Sequence, residues 1–267
     1  MKFIRRQAGA GKPFMAVVWF GSPHNPHKAL PADKAAYRAL PEKLQNYYGE
    51  ITAVDRSVGR LRAALRELKI ADNTLLWYCS DNGGNEGPKS TGGLRGSKGT
   101  LWEGGLRVPG IVEWPARISK PFVSGAPCST LDIYPTVLEA TGAVAKNQIQ
   151  PLDGLSLLPV FDRKTEARAK PIPFWNHGGK QPGHAALLDW PYKLHTNPVA
   201  GRRNAANAGE IPAPLPPVLL YDVSKDPKET TDIAAQQPER VAKMTAALEA
   251  WKSSVEKSLS GADYAAK

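Results

Sequence analysis

The 267-residue sequence predicts an α/β fold with a smaller α+β subdomain at its carboxyl end. Three observations carry this. Apolar runs at Pro13–Phe20, Thr74–Cys79 and Val108–Trp114 read as strands. Between the first two, apolar residues recur every three or four positions, giving strand, helix, strand with short links. Beyond Lys170 the pattern changes to short strands separated by turns and closed by one helix.

Residues 2–12 read as the end of a helix and a Gly-rich turn that feeds the strand Pro13–Phe20. It runs into Gly21-Ser22-Pro23-His24-Asn25-Pro26-His27, where two prolines bar regular structure and stiffen a loop presenting His24. A lone histidine is more often structural or surface-exposed than catalytic. His24 and His27, three apart outside a helix, are a weak metal signal. From Pro41, Leu44, Tyr47, Tyr48, Ile51, Val54, Val58, Leu61, Leu65 and Leu68 form the apolar stripe of a long amphipathic helix, with Lys and Arg opposite. Asp55, at the stripe's edge, reads as structural, and Asp72-Asn73 turns the chain into the next strand.

Thr74–Cys79 is apolar, aromatic or β-branched throughout, as in a strand buried on both faces, and stops at Ser80-Asp81-Asn82-Gly83-Gly84. Ligands of open α/β sheets bind at the carboxyl ends of strands. Adjacent Asp81 and Asn82, followed by glycines that allow close backbone approach, suit oxygen ligation of a hard cation. An Asx-turn closing the strand is the simpler reading of this stretch taken alone. Residues Gly83–Gly105 contain nine glycines, with Lys89, Arg95, Lys98 and Arg107 in or just beyond the run. It reads as an unpacked loop whose amides and cations suit an oxyanion. Its spacing matches neither a P-loop nor a dinucleotide fingerprint.

Val108–Trp114 reads as a third buried strand, and Ser129-Thr130-Leu131-Asp132 as the cap of a short helix, Ile133–Thr141, ending at Gly142. PLDGLSLLPVF is a short proline-bounded segment, 163–170 a charged linker, and a boundary falls near Lys170. It divides the chain into 1–170 and 171–267. The second part holds expected strands at Phe174–His177, Ala185–Leu188, Tyr192–Thr196 and Val218–Asp222. A last helix, Pro238–Val255, carries Val241, Met244, Leu248 and Trp251 on one face, so antiparallel strands covered by one helix are expected.

The formal net charge of +10 favours anionic partners, yet the basic residues are spread out without interleaved aromatics, which argues against nucleic acid. No apolar run approaches the roughly 20 residues of a membrane span. The opening MKFIRRQAGAGKPFMAVVWF has too short an apolar run, after a proline, to read as a signal peptide. Cys79 and Cys128 are expected to be buried free thiols. There are no internal repeats.

GSPHNPH, AVDRSVGRLRAAL, DNTLLWYCSDNGG, LRGSKGTLWEGGLRVPGIVEWP, STLDIYPTVLEATG and LLYDVSKDPKETTDIA, in this order and spacing, closely resemble the sulfatase family of the alkaline-phosphatase-like superfamily. The resemblance covers essentially the whole chain. It implies part of an alkaline-phosphatase-like mixed sheet flanked by helices, catalytic in residues 1–170, with the α+β subdomain following. By resemblance, Asp81 and Asn82 are two ligands of the family's active-site calcium, a divalent site that magnesium also suits. Lys98 resembles the lysine that contacts the sulfate, and His24 the histidine at the sulfate and its leaving oxygen. Arg95 and Arg107 fit loop anchoring better than anion contact.

The resemblance has a gap. The Cys/Ser-x-Pro-x-Arg motif that yields the family's formylglycine occurs nowhere, no two aspartates are adjacent, and the lysine–histidine pair expected between those regions is missing. The chain resembles the carboxyl-terminal half of a sulfatase. Weak metal binding and no turnover by this chain alone are therefore expected, with the missing half as a partner. The implied substrate is a sulfate ester, an aryl sulfate or a sulfated glycan, with selectivity from the Gly201–Pro217 loop and the Asn176–Gly183 turn. Alternatives are a phosphate or phosphonate ester hydrolase of the same superfamily and a non-catalytic binder of sulfated glycans. The resemblance suggests a periplasmic or secreted setting.

Overall fold

The computed structural model describes residues 1–86, 90–146, 148, 151–175, 183–199 and 214–264. They group into two compact units, Met1–Leu76 with Val112–Lys120, and Trp77–Ile111 with Pro121–Lys267.

In the first unit, α1 (Lys2–Gly9) is followed by a one-turn α2 (Pro31–Lys34) and the long α3 (Glu42–Glu67). The stripe predicted for α3 is its packed side: Tyr47, Val54 and Leu65 are buried, while Ile51 at its margin is exposed. Asp55, at the edge of the stripe, is exposed too. A Schellman motif ends the helix: the Lys69 amide donates to Arg66 O (2.9 Å) and the Ile70 amide to Leu65 O (3.0 Å), with Lys69 left-handed at φ 57°. Arg56 clamps the buried Asp33 of α2 through both guanidinium nitrogens. Arg62 Nε reaches Glu113 Oε2 at 2.5 Å. The expected strand at Pro13–Phe20 is absent, and these residues have no regular structure. A strand exists only with a ladder partner, and among the described residues none of 13–20 makes a backbone hydrogen bond.

Two other strands are shorter and less covered than their composition predicts. β1 (Leu76–Cys79) is half-buried throughout, and β2 (Gly110–Glu113) has exposed Gly110 and Ile111; together they form a two-stranded sheet. Apolar composition marks a strand that favours burial, but it does not supply the covering layers. Cys79 and Cys128 are free as expected; Cys79 is half-buried, whereas Cys128 is exposed in the loop before Ser129.

In the second unit, Ser129 Oγ accepts from the Leu131 amide and Asp132 Oδ2 from the Ser129 amide, a capping box that starts α5 (Ile133–Thr141). Left-handed Gly142 ends the helix. Asp132 is fully buried, and Arg168 grips it bidentately at 2.7 and 2.9 Å. The segment 163–170 therefore contains a buried anchor and is more than a linker. α4 (Glu103–Leu106) and α6 (Leu158–Phe161) are single turns.

A four-stranded antiparallel meander follows: β3 (Ile172–Trp175), β4 (Ala185–Asp189), β5 (Tyr192–Thr196) and β6 (Val218–Asp222). β3 starts two residues earlier than expected, and His177 lies outside the described residues. Register pairs Leu187 with Leu194, and Leu194 with Leu220. These side chains share one face with Met244 and Leu248 of α7 (Pro238–Ser260), which is five residues longer than its apolar stripe predicted. The other face is not bare. Leu219, Tyr221 and Val223 pack there against the completely buried Trp102, from the glycine-rich segment, so the sheet is covered on both sides.

Candidate active site

Asp81 and Asn82 follow β1 directly. Asp81 is exposed and Asn82 half-buried, and among the described residues neither side chain has a hydrogen bond or ion pair. Ser80 Oγ donates to Asn82 O at 2.9 Å and holds the turn from beneath. The Gly83 amide then donates to Gly105 O (2.9 Å), and the Lys98 amide to Gly84 O (3.0 Å), so two backbone bonds draw the segment back against Asp81-Asn82. A Cβ on Gly83 would lie 1.9 Å from Gly104 O, so only glycine permits this approach. Lys98 occupies a turn closed by Thr100 N to Ser97 O (3.0 Å), with Gly99 left-handed at φ 82° as a type II turn demands. Lys98 is half-buried, and its ammonium has no partner among the described residues.

The glycine-rich segment was expected to be unpacked, and this is corrected. Thr100, Leu101, Trp102 and Glu103 are buried, because the glycines let backbone pack on backbone. Arg95 stacks over the Trp102 ring at 3.6 Å and donates to Glu229 O at 2.9 Å. Arg107 Nε bonds Glu103 Oε2 at 2.6 Å. Both arginines anchor the loop, as expected. Lys89 and the two selectivity segments fall largely or wholly outside the described residues.

Beneath lies a charged cluster that the sequence reading missed. Lys193 Nζ on β5 reaches Glu103 Oε1 (2.9 Å) and Glu229 Oε1 (3.1 Å). Glu229 Oε2 accepts the Glu103 amide at 2.7 Å, and His195 Nε2 donates to Glu229 Oε1 at 2.8 Å. His195 Nδ1 must then accept from His184 Nε2 (3.1 Å), which leaves His184 Nδ1 a buried acceptor without a partner among the described residues. Burial pushes His184 down to about 4, helped by His195 and Lys193. Burial also takes His195 to about 4 against the pull of Glu229. For Glu229, burial pushes upward, but the His195 bond and the Lys193 charge outweigh it and hold the carboxyl below its usual range. The available signal was the spacing of Lys193 and His195, which share a face of a strand whose other face is apolar.

His24 belongs to the first unit. It is exposed, and its Nδ1 donates to Asn25 O (2.8 Å), because a carbonyl only accepts; Nε2 is left for a ligand. His27 makes no metal pair with it. Its ring packs on Tyr47 at 5.2 Å, and its Nδ1 lies 3.5 Å from Glu50 Oε2.

The Asp81–Asn82 donors fit calcium in kind. They do not fit in number, because calcium takes about six to eight oxygens. Among the described residues, no group of three His, Cys, Asp or Glu is placed to hold a metal.

The fold is that of the solved sulfatase structures, an alkaline-phosphatase-like mixed α/β fold. The sulfatase family profile matches residues 1–143. A sulfatase of Formosa agariphila is 30% identical over 274 residues, covering 93% of this chain and 48% of that protein. Mouse steryl-sulfatase is 36% identical over 169 residues, covering 60% and 26%. The crystal structure of Ps i-CgsB with k-i-k-neocarrahexaose superposes with a TM-score of 0.77 at 28% identity, covering 94% of this chain and 52% of that one. The chain belongs to the sulfatase family. It spans about half the length, or less, of these relatives.

Proposed function

We propose that this chain supplies part of a site for hydrolysing sulfate esters, with a sulfated glycan as substrate class. The observation that carries the reading is the Lys98–Gly84 backbone bond, which fixes Lys98 on the same glycine knot as Asp81 and Asn82, three side chains without a partner among the described residues. Lys98 offsets charge on the sulfate oxygens as the ester bond breaks. His24 keeps its role in this reading by resemblance alone: Asn25 O holds its Nδ1, and Nε2 is the ring nitrogen left to donate to a leaving oxygen. Asp81 and Asn82 would hold a divalent cation only together with further oxygen ligands, and such an ion would supply positive charge beside the sulfate oxygens. The glycan class is supported by the carbohydrate bound to Ps i-CgsB. The sequence contains no Cys/Ser-x-Pro-x-Arg nucleophile motif, so the chain alone binds the anion without turning over the ester.

The test is calorimetric titration of the purified chain with inorganic sulfate in millimolar calcium, beside an assay of 4-nitrophenyl sulfate hydrolysis. Sulfate binding weakened at least tenfold by Lys98→Ala, and unchanged by Lys228→Ala, supports the reading. Equal binding by Lys98→Ala overturns the assignment of Lys98. Metal-dependent turnover by the chain alone overturns the claim that it lacks a complete site.

A further inference from the structure

Glu229 is fully buried in the turn after β6, and it is left-handed, at φ 55°, without being glycine. A side chain disfavours that conformation, so the surroundings have to impose it. Asp226 does so: its carboxylate accepts the Thr230 and Thr231 amides at 2.7 and 2.8 Å, and its carbonyl accepts the Glu229 amide at 3.1 Å. The turn aims Glu229 inward.

What Glu229 holds there is the segment that carries Lys98. Its carbonyl accepts Arg95 Nη1 at 2.9 Å, and its Oε2 accepts the Glu103 amide at 2.7 Å. The two contacts fall on either side of Lys98. The loop base is closed by the Gly104 amide, which donates to Arg95 O at 2.7 Å, and the tip by Thr100 Oγ1, which donates to Ser97 O at 2.8 Å. Lys193 Nζ and His195 Nε2 meet Glu229 at Oε1 and fix the carboxylate itself. Among the described residues Lys98 has no side-chain partner, so the place of its ammonium follows from its backbone. A loose segment would have to be ordered by each anion that binds, which weakens binding.

We propose that Glu229 is the positioning residue for Lys98. Buried itself, it sets the anion contact by clamping both ends of the segment 95–103. The inference rests on the reading of Lys98 as the sulfate contact.

The test measures sulfate affinity by calorimetry, and amide exchange, on the full chain carrying Glu229→Ala, Glu229→Gln or Asp132→Asn. Asp132 is equally buried, but its carboxylate bonds Ser129, Leu155 and Arg168, so its loss destabilises the fold without touching the clamp. Glu229→Ala should weaken sulfate binding at least tenfold, and speed exchange of 95–104 at least tenfold more than exchange of α7. Glu229→Gln should restore both to within about threefold, because its oxygen still accepts the Glu103 amide while His195 changes tautomer to accept from its nitrogen. Asp132→Asn should leave sulfate affinity unchanged. In a Lys98→Ala background, Glu229→Ala should weaken the residual binding less than about twofold, since nothing remains for it to position. If Glu229→Ala does not fold, Asp226→Ala, which frees the turn and keeps the buried charges, is expected to show the same losses. Sulfate affinity retained in Glu229→Ala, or lost equally in Asp132→Asn, overturns the proposal. Unchanged sulfate binding by Lys98→Ala overturns the reading of Lys98 instead, and faster exchange of 95–104 in Glu229→Ala then still upholds the clamp.

Discussion

Lys193 Nζ lies 2.9 Å from Glu103 Oε1, and neither side chain is more than 6% exposed. The pair joins a strand of the carboxyl-terminal meander to the glycine-rich segment that carries Lys98. Lys193→Met would leave the Glu103 and Glu229 carboxylates buried together without their cation. The expected loss is about 3–5 kcal/mol in urea unfolding, because breaking a buried pair strands its partner's charge. A loss under about 1 kcal/mol would mean that the pair is not buried as described.

The two histidines below Trp102 make stability depend on pH. Their folded pKa values of about 4 lie below the unfolded value near 6.5. Between these limits the unfolded chain binds protons that the folded chain refuses. Stability therefore falls as pH drops from about 6.5 to about 4, with a slope approaching about 1.4 kcal/mol per pH unit for each histidine. Above about 6.5 neither state takes the proton and the effect is absent. Equal urea midpoints at pH 7 and pH 5 would contradict this.

Two glycines should respond in opposite senses. Gly83→Ala forces a methyl against Gly104 O and should cost more than about 2 kcal/mol while abolishing sulfate binding. Gly59, inside α3, has no atom within 4 Å of an added Cβ, so Gly59→Ala should stabilise by about 0.4–1 kcal/mol. Thermal unfolding compares the two directly.

Lys69 holds the left-handed position that ends α3, where glycine has no steric penalty. Lys69→Gly should raise stability by about 1 kcal/mol, the left-handed cost for a residue with a side chain. An unchanged unfolding midpoint would rule the strain out.

Asp81→Ala and Lys98→Ala should change stability by less than about 0.5 kcal/mol, since among the described residues neither side chain has a partner to lose. If sulfate binding falls while the unfolding midpoint holds, the loss is specific to the site.

The sequence was most legible where a local signal decides the structure. The capping box at Ser129 and Asp132, the Gly142 stop, the stripe of α3 and the strands from Ala185 to Asp222 follow from spacing and turn chemistry within a few residues. Pro13–Phe20 failed because a strand depends on a partner that its own residues do not specify. The glycine-rich segment failed for the converse reason: glycine count reads as looseness, while here each missing side chain is a place for another backbone. Lys193, His195 and Glu229 were invisible as a group because 34 to 36 residues separate β5 from Glu229 in the chain, and Glu103 lies 90 residues before Lys193. Asp81, Asn82 and Lys98 were singled out through family resemblance more than through any local rule, and their roles rest with the binding experiments.

The two-sided covering of the meander bears on how such a protein can be rebuilt. A chimera that takes strands β3 to β6 and α7 from one sulfatase and the glycine-rich segment from another would mismatch Trp102, Glu103, Lys193 and Glu229 across the splice. The portable module is therefore discontinuous. Residues 95–107 have to travel with the carboxyl-terminal subdomain, and substitutions at these four positions are inheritable only as a set.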